Sequence, residues 1–206
     1  VKTLLSVLIL LAFTIPLSAH PAPFSYLDVR IVAPSSSSAA ELSGKLVIHA
    51  PDAAYELKLT APEVLHDDSV VKRQAPELAR ILAGRMEFLA DGEALPWTMT
   101  GARALPGLDS IELTWRAPTA RVPGKLTIAS MLFPYDPNHQ TFVNVYERDE
   151  LARQEVLNRE RARVDFFTGT RQGTIAVLTS FIESGIHHIA IGPDHILFVI
   201  GLLLLG

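Results

Sequence analysis

With 206 residues the chain has room for one sizeable domain plus extensions. A net charge of −4 with no long basic run gives nucleic acid nothing to bind, and the absence of cysteine excludes disulfides and thiolate metal sites. The hydrophobic fraction, 49%, is ordinary for a globular protein, but both ends are strongly apolar and the middle is mixed.

Lys2 supplies a short positive start, residues 4–17 are apolar apart from Ser6, Thr14 and Pro16, and Ser18-Ala19 offers a small-residue cleavage site. This predicts a secretory signal peptide, as a signal helix, over residues 1–19, because about 14 apolar residues is short for a membrane span. An uncleaved anchor is the alternative. Cleavage after Ala19 makes His20 a new terminus whose α-amine and imidazole can chelate copper or nickel together; the plainer reading is a loose lead-in. The start at Val1 fits either a non-ATG start codon or a fragment boundary.

Residues 20–165 read as an exported, mainly β domain. Strands are expected over 26–32, 42–49 and 55–59, with a serine loop at 35–38 and a turn at Pro51-Asp52. Residues 75–84 predict one short helix, with Pro76 at its first position, Glu77 in its first turn and Gly84 at its end. Asp91-Gly92 is a hairpin signal between strands over 86–89 and 93–99. Further strands are expected over 110–115, 125–132 and 142–146. Seven or eight short strands with frequent turns predict a β-sandwich. No nucleophile with a base and no phosphate loop appears, so no enzyme activity is expected. Asp136 and His139 offer metal or partner donors, although Asp-Pro-Asn is also what a turn wants. Residues 147–163 are dense in Arg and Glu and read as a helix or strand with a solvated face.

From Gly173 to Gly206 there is no Lys or Arg. Ile175, Leu178, Ile182, Ile186 and Ile189 recur at spacings of three and four, which predicts a helix. Residues 185–206 would reach about 33 Å at roughly 1.5 Å per residue, enough for a bilayer core of about 30 Å. Residues 166–206 are therefore expected to be a linker and a first transmembrane helix. A charged Asp194 near the middle of such a span costs on the order of 2.5–3.5 kcal/mol, so ionisable groups here are functional candidates. His187 and Asp194, and His188 and His195, are each seven apart, about 10 Å along an unbroken helix, too far to share an ion with donors near 2 Å. Pro193 cannot donate to the carbonyl four residues back, so Gly192-Pro193 predicts a break. A helix restarting at Pro193 would place Asp194 in its first turn, and His188, Asp194 and His195 could converge as a metal set. Such nitrogen and oxygen donors suit nickel, cobalt, zinc or copper(II) better than copper(I). The plainer reading makes the histidines interfacial and Asp194 a cap.

Gly185-x-x-His188-Ile189-x-x-Gly192-x-Asp194-His195-x-Leu197-Phe198, followed by a leucine run, resembles the first transmembrane segment of the HupE/UreJ family, whose core is His-x5-Asp-His. The regions around Ala19-His20-Pro21, Ser25-Tyr26 and residues 133–145 resemble its exported-domain branch more loosely. The resemblance implies a cytoplasmic (inner) membrane protein with its N-terminal domain on the periplasmic side, handling nickel or cobalt as a transported ion. Its expected partners are membrane lipid and further transmembrane helices beyond this chain, which ends inside the segment. Ile189 stands where some members have proline. The alternative is a membrane-anchored, extracytoplasmic β-sandwich binding module without transport. An intramembrane metal hydrolase ranks last, since no His-Glu-x-x-His accompanies the donors.

Overall fold

Two sheets form where the sequence alternates. Strand β1 (Phe24–Val32) buries Leu27, Val29 and Ile31 and leaves Tyr26, Asp28 and Arg30 at least partly exposed, the period-two pattern of a sheet with one wet face. It pairs antiparallel with β2 (Glu41–His49) and parallel with β8 (Gln140–Glu147). Adding β5 (Thr98–Leu105), β6 (Ser110–Pro118) and β9 (Glu150–Leu157) gives a six-stranded sheet in the order β5-β6-β2-β1-β8-β9. The second sheet is four-stranded and antiparallel, in the order β10-β7-β3-β4, from β10 (Arg163–Phe167), β7 (Lys125–Ser130), β3 (Met86–Ala90) and β4 (Glu93–Ala94). The computed structural model describes residues 24–34, 39–191 and 193–205. The expected signal segment, His20 and the 35–38 loop lie outside the described residues.

The sheets share one core. Leu27, Leu46, Ile48, Leu113 and Val143 from the larger sheet meet Phe88, Leu126 and Ile128 from the smaller, and Phe88 stacks on Trp115 at 4.5 Å between ring centroids. The β3–β4 hairpin turns at Asp91-Gly92, where both residues take positive φ (53° and 91°), as two-residue hairpins require.

The domain is nevertheless mixed α/β, not mainly β with one short helix. Residues 55–59, expected as a strand, follow a different course: helix α1 (Ala50–Glu56) covers the start of that stretch and a turn its end. Pro51 sits in the first turn with Asp52, where a missing N–H is harmless and a carboxylate favourable, and Ala50, Ala53 and Ala54 are buried on one helical face. The helix expected at 75–84 starts earlier, as α2 (Asp68–Ala83), because Asp67 caps it by accepting from Ser69 N at 2.7 Å. Val71, Ala75, Leu78 and Leu82 are its buried stripe, and Pro76 lies inside it. Burial of that stripe outweighs one lost backbone hydrogen bond.

The expected strand over 93–99 is divided. β4 ends at Ala94 and β5 begins at Thr98 in the other sheet, with Pro96 in the crossover. The charged stretch 147–163 contains β9, an edge strand whose exposed Arg and Glu side chains discourage further pairing.

At the C-terminal end the described residues form the helical stretches α3 (Arg171–Ile191) and α4 (Pro193–Leu205). Gly192, and with it the expected break at Gly192-Pro193, lies outside the described residues. Among the described residues, no helix is long and apolar enough to cross a membrane.

Candidate functional site

The junction between domain and helix is built from a threonine turn. Thr168 is buried and donates its hydroxyl to Pro123 O at 2.8 Å, while its backbone N–H donates to Gly124 O at 3.0 Å. Thr170 Oγ1 then accepts from Gly173 N at 3.0 Å, capping the first turn of α3. Gly169 N donates to both carboxylate oxygens of Glu147, at the end of β8, at 3.0 Å. Gly173 is there because nothing larger fits: a Cβ at that position would lie 1.9 Å from Thr168 O. The helix is thus held at its base by four elements of backbone and side chain.

Beyond that base, α3 and α4 present apolar side chains to the surface. Leu178, Phe181, Ile182, Ile186, Leu197 and Phe198 are all exposed. Ile175, Leu178, Ile182, Ile186 and Ile189 lie on α3 as their spacing predicts, and all five are exposed. His187 and His188 are exposed near the end of α3. Asp194 and His195 lie on α4 directly after Pro193; their side chains lie outside the described part of the structure.

Two histidine clusters in the domain carried little sequence signal. Asp109, at the β5–β6 turn with φ 45°, faces His66 Nε2 at 2.7 Å and His49 Nε2 at 3.6 Å. The three residues come from positions 17 and 43 apart, so only the fold brings them together. They tie the end of β2, the 3-10 turn Pro62–His66 and the β6 approach to one carboxylate. Among the described residues, no group of three or more His, Asp or Glu side chains is placed to hold a metal ion.

The second cluster is the 131–139 loop. Asp136 makes the turn that Asp-Pro-Asn promised: Oδ1 accepts from Asn138 N at 2.9 Å, and its carbonyl accepts from His139 N at 3.2 Å. Tyr135 donates its hydroxyl to Asp52 Oδ1 at 3.0 Å and packs on Tyr55. Burial and the nearby Asp52 carboxylate hold the Tyr135 phenol well above its ordinary pKa, so it remains a donor. Unlike a solvent-facing turn residue, His139 is buried, 7% exposed, with its ring edge-on to Phe133.

These features define a class: a folded two-sheet domain followed by an apolar helical segment that carries ionisable residues. Residues 166–206 match the family model described as HupE / UreJ protein, so the similarity to that family lies in the C-terminal stretch. HupE/UreJ proteins are membrane proteins. No curated protein matches the chain.

Proposed function

We propose that this chain is the extracytoplasmic domain and first membrane-entering segment of a HupE/UreJ-type protein that takes up a divalent metal, nickel or cobalt, as its substrate. The observation that carries this reading is the family match over 166–206, a family linked to nickel and cobalt permeases, with His188-x5-Asp194-His195 inside the matched stretch. Imidazole and carboxylate donors suit those ions. The exposed Leu, Ile and Phe side chains of α3 and α4 support a surrounding of lipid and further helices, since water is a poor solvent for so continuous an apolar surface. In that surrounding a helix break at Gly192-Pro193 would let freed backbone groups and ionisable side chains satisfy one another.

The test is accumulation of radioactive nickel and cobalt by cells expressing the full protein in the membrane. His188→Ala and Asp194→Ala are each expected to reduce accumulation to that of cells lacking the protein, at equal membrane abundance. Undiminished accumulation in both variants overturns the metal role. A second reading, an anchored binding module, draws on the completeness of the domain: its core is its own, and the described contacts that hold α3 to it lie at the helix base. On that reading both variants would leave partner capture by the domain intact and no metal would accumulate in any of them.

A further inference from the structure

His139 is a buried titratable group that the metal reading leaves unused. Its two ring nitrogens have no protein hydrogen-bond partner, and neither does Ser130 Oγ beside it. With Leu132, Phe133, Thr141 and Leu157 they line a partly open cavity of about 20 Å³, room for a single water. A neutral imidazole tolerates such a place, because one water can serve a nitrogen and a hydroxyl together. An imidazolium is a worse fit: it has two N–H donors, needs acceptors for both, and loses hydration on burial.

The charged and titratable groups around the ring come from three elements. Asp52 stands on α1, Asp136 and Tyr135 on the loop itself, and Arg159 on the connection after β9. Behind them, Arg85 pairs with Glu56 and donates to Leu132 O. Both carboxylates are already engaged, Asp136 Oδ1 with Asn138 N and Asp52 Oδ1 with Tyr135, although Asp52 Oδ2 is buried without a partner. Burial pushes the His139 pKa below its ordinary value, against the attraction of Asp52 and Asp136.

We propose that residues 131–139 form an acid-released clasp, in which protonation of His139 undocks the loop from α1 and the sheet end, uncovers Leu132 and Phe133, and frees Asp52. The sign follows from linkage. A histidine whose folded pKa is depressed binds its proton more readily when undocked, so docking is fully favourable above the ordinary imidazole range and weakens as pH falls through it. The uncovered side chains would adjoin Met131, Tyr55 and Tyr135, which are already exposed, making one apolar patch. The clasp precedes β8, whose far end, Glu147, meets the base of α3, so the patch lies about 25 Å along the strand from the helix junction. The inference concerns the domain alone and does not depend on metal uptake.

Hydrogen exchange of the full chain in detergent micelles, from about pH 7.5 to about pH 5 and corrected for intrinsic chemistry, tests it. Protection of the 131–136 amides should fall by up to roughly tenfold for each pH unit of depression, while β6 amides stay protected. In His139→Phe, which fills the site without titrating, loop protection should be independent of pH. The same decline in His139→Phe, or no decline in the native protein, overturns the clasp. Should that variant not fold, the ring-proton titration of His139 in the native protein decides. A titration below the ordinary histidine range, accompanied by loop exchange, upholds the proposal; a titration at or above that range with the loop still docked overturns it.

Discussion

Strand β8 and helix α3 are both rich in large apolar residues, yet they treat them in opposite ways. β8 sends Val143 and Val145 into a core closed by the second sheet, and alternates them with Phe142, Asn144 and Tyr146 at the surface. α3 has apolar residues on more than one side and leaves Leu178, Phe181 and Ile182 exposed. The domain has its own apolar partner in a second layer; the described part of the helical segment has its large apolar side chains exposed. That contrast in burial, more than hydropathy alone, separates the two regions.

The largest expected effect is on the side that closes on itself. Phe88→Ala removes a fully buried ring from its stack on Trp115 and should cost about 3–5 kcal/mol of domain stability, read by denaturant unfolding followed by tryptophan fluorescence. A loss under about 1 kcal/mol would mean the two sheets do not share this core.

Next comes the boundary between the regions. Gly173→Ala places a methyl group against Thr168 O and should cost on the order of 1–3 kcal/mol, concentrated in the threonine turn. Hydrogen exchange should show faster opening of residues 168–176 with β1 unaffected. Equal loosening of both would show that junction and domain unfold as one unit, and the contrast drawn here would fail.

The smallest effect belongs to α3. Phe181→Ala, at a side chain 73% exposed, should change domain unfolding in micelles by less than about 0.5 kcal/mol. A larger change would reveal a contact between this helix face and the domain.

Legibility differed between the regions for physical reasons. Strands β1, β2, β3 and β8 were readable because one wet face and one dry face impose alternation, β6 and β7 from the Pro and Gly residues between them, and the Asp91-Gly92 turn because its backbone requires positive φ. Residues 55–59 were misleading: Tyr55, Leu57 and Leu59 alternate, but Pro51, Asp52 and the buried alanines favour a helix that ends among them. Pro76 suggested a helix start, whereas the cap at Asp67 and the stripe from Val71 to Leu82 began the helix two turns earlier. In the C-terminal segment the spacing of Ile175, Leu178, Ile182, Ile186 and Ile189 made a helix legible, and these residues lie in α3.

The sequence by itself determined local matters: where alternation makes strands, and where Asp-Gly and Asp-Pro-Asn turn. Those outcomes depend on neighbours within a few residues, which sequence order supplies. The tertiary structure alone decided that β1 pairs parallel with β8, that the chain changes sheets across Pro96, that Asp109 joins His49 to His66, and that His139 is buried. Each joins residues distant in the chain or sets burial by packing, and such proximity is fixed only when two layers close on a common core.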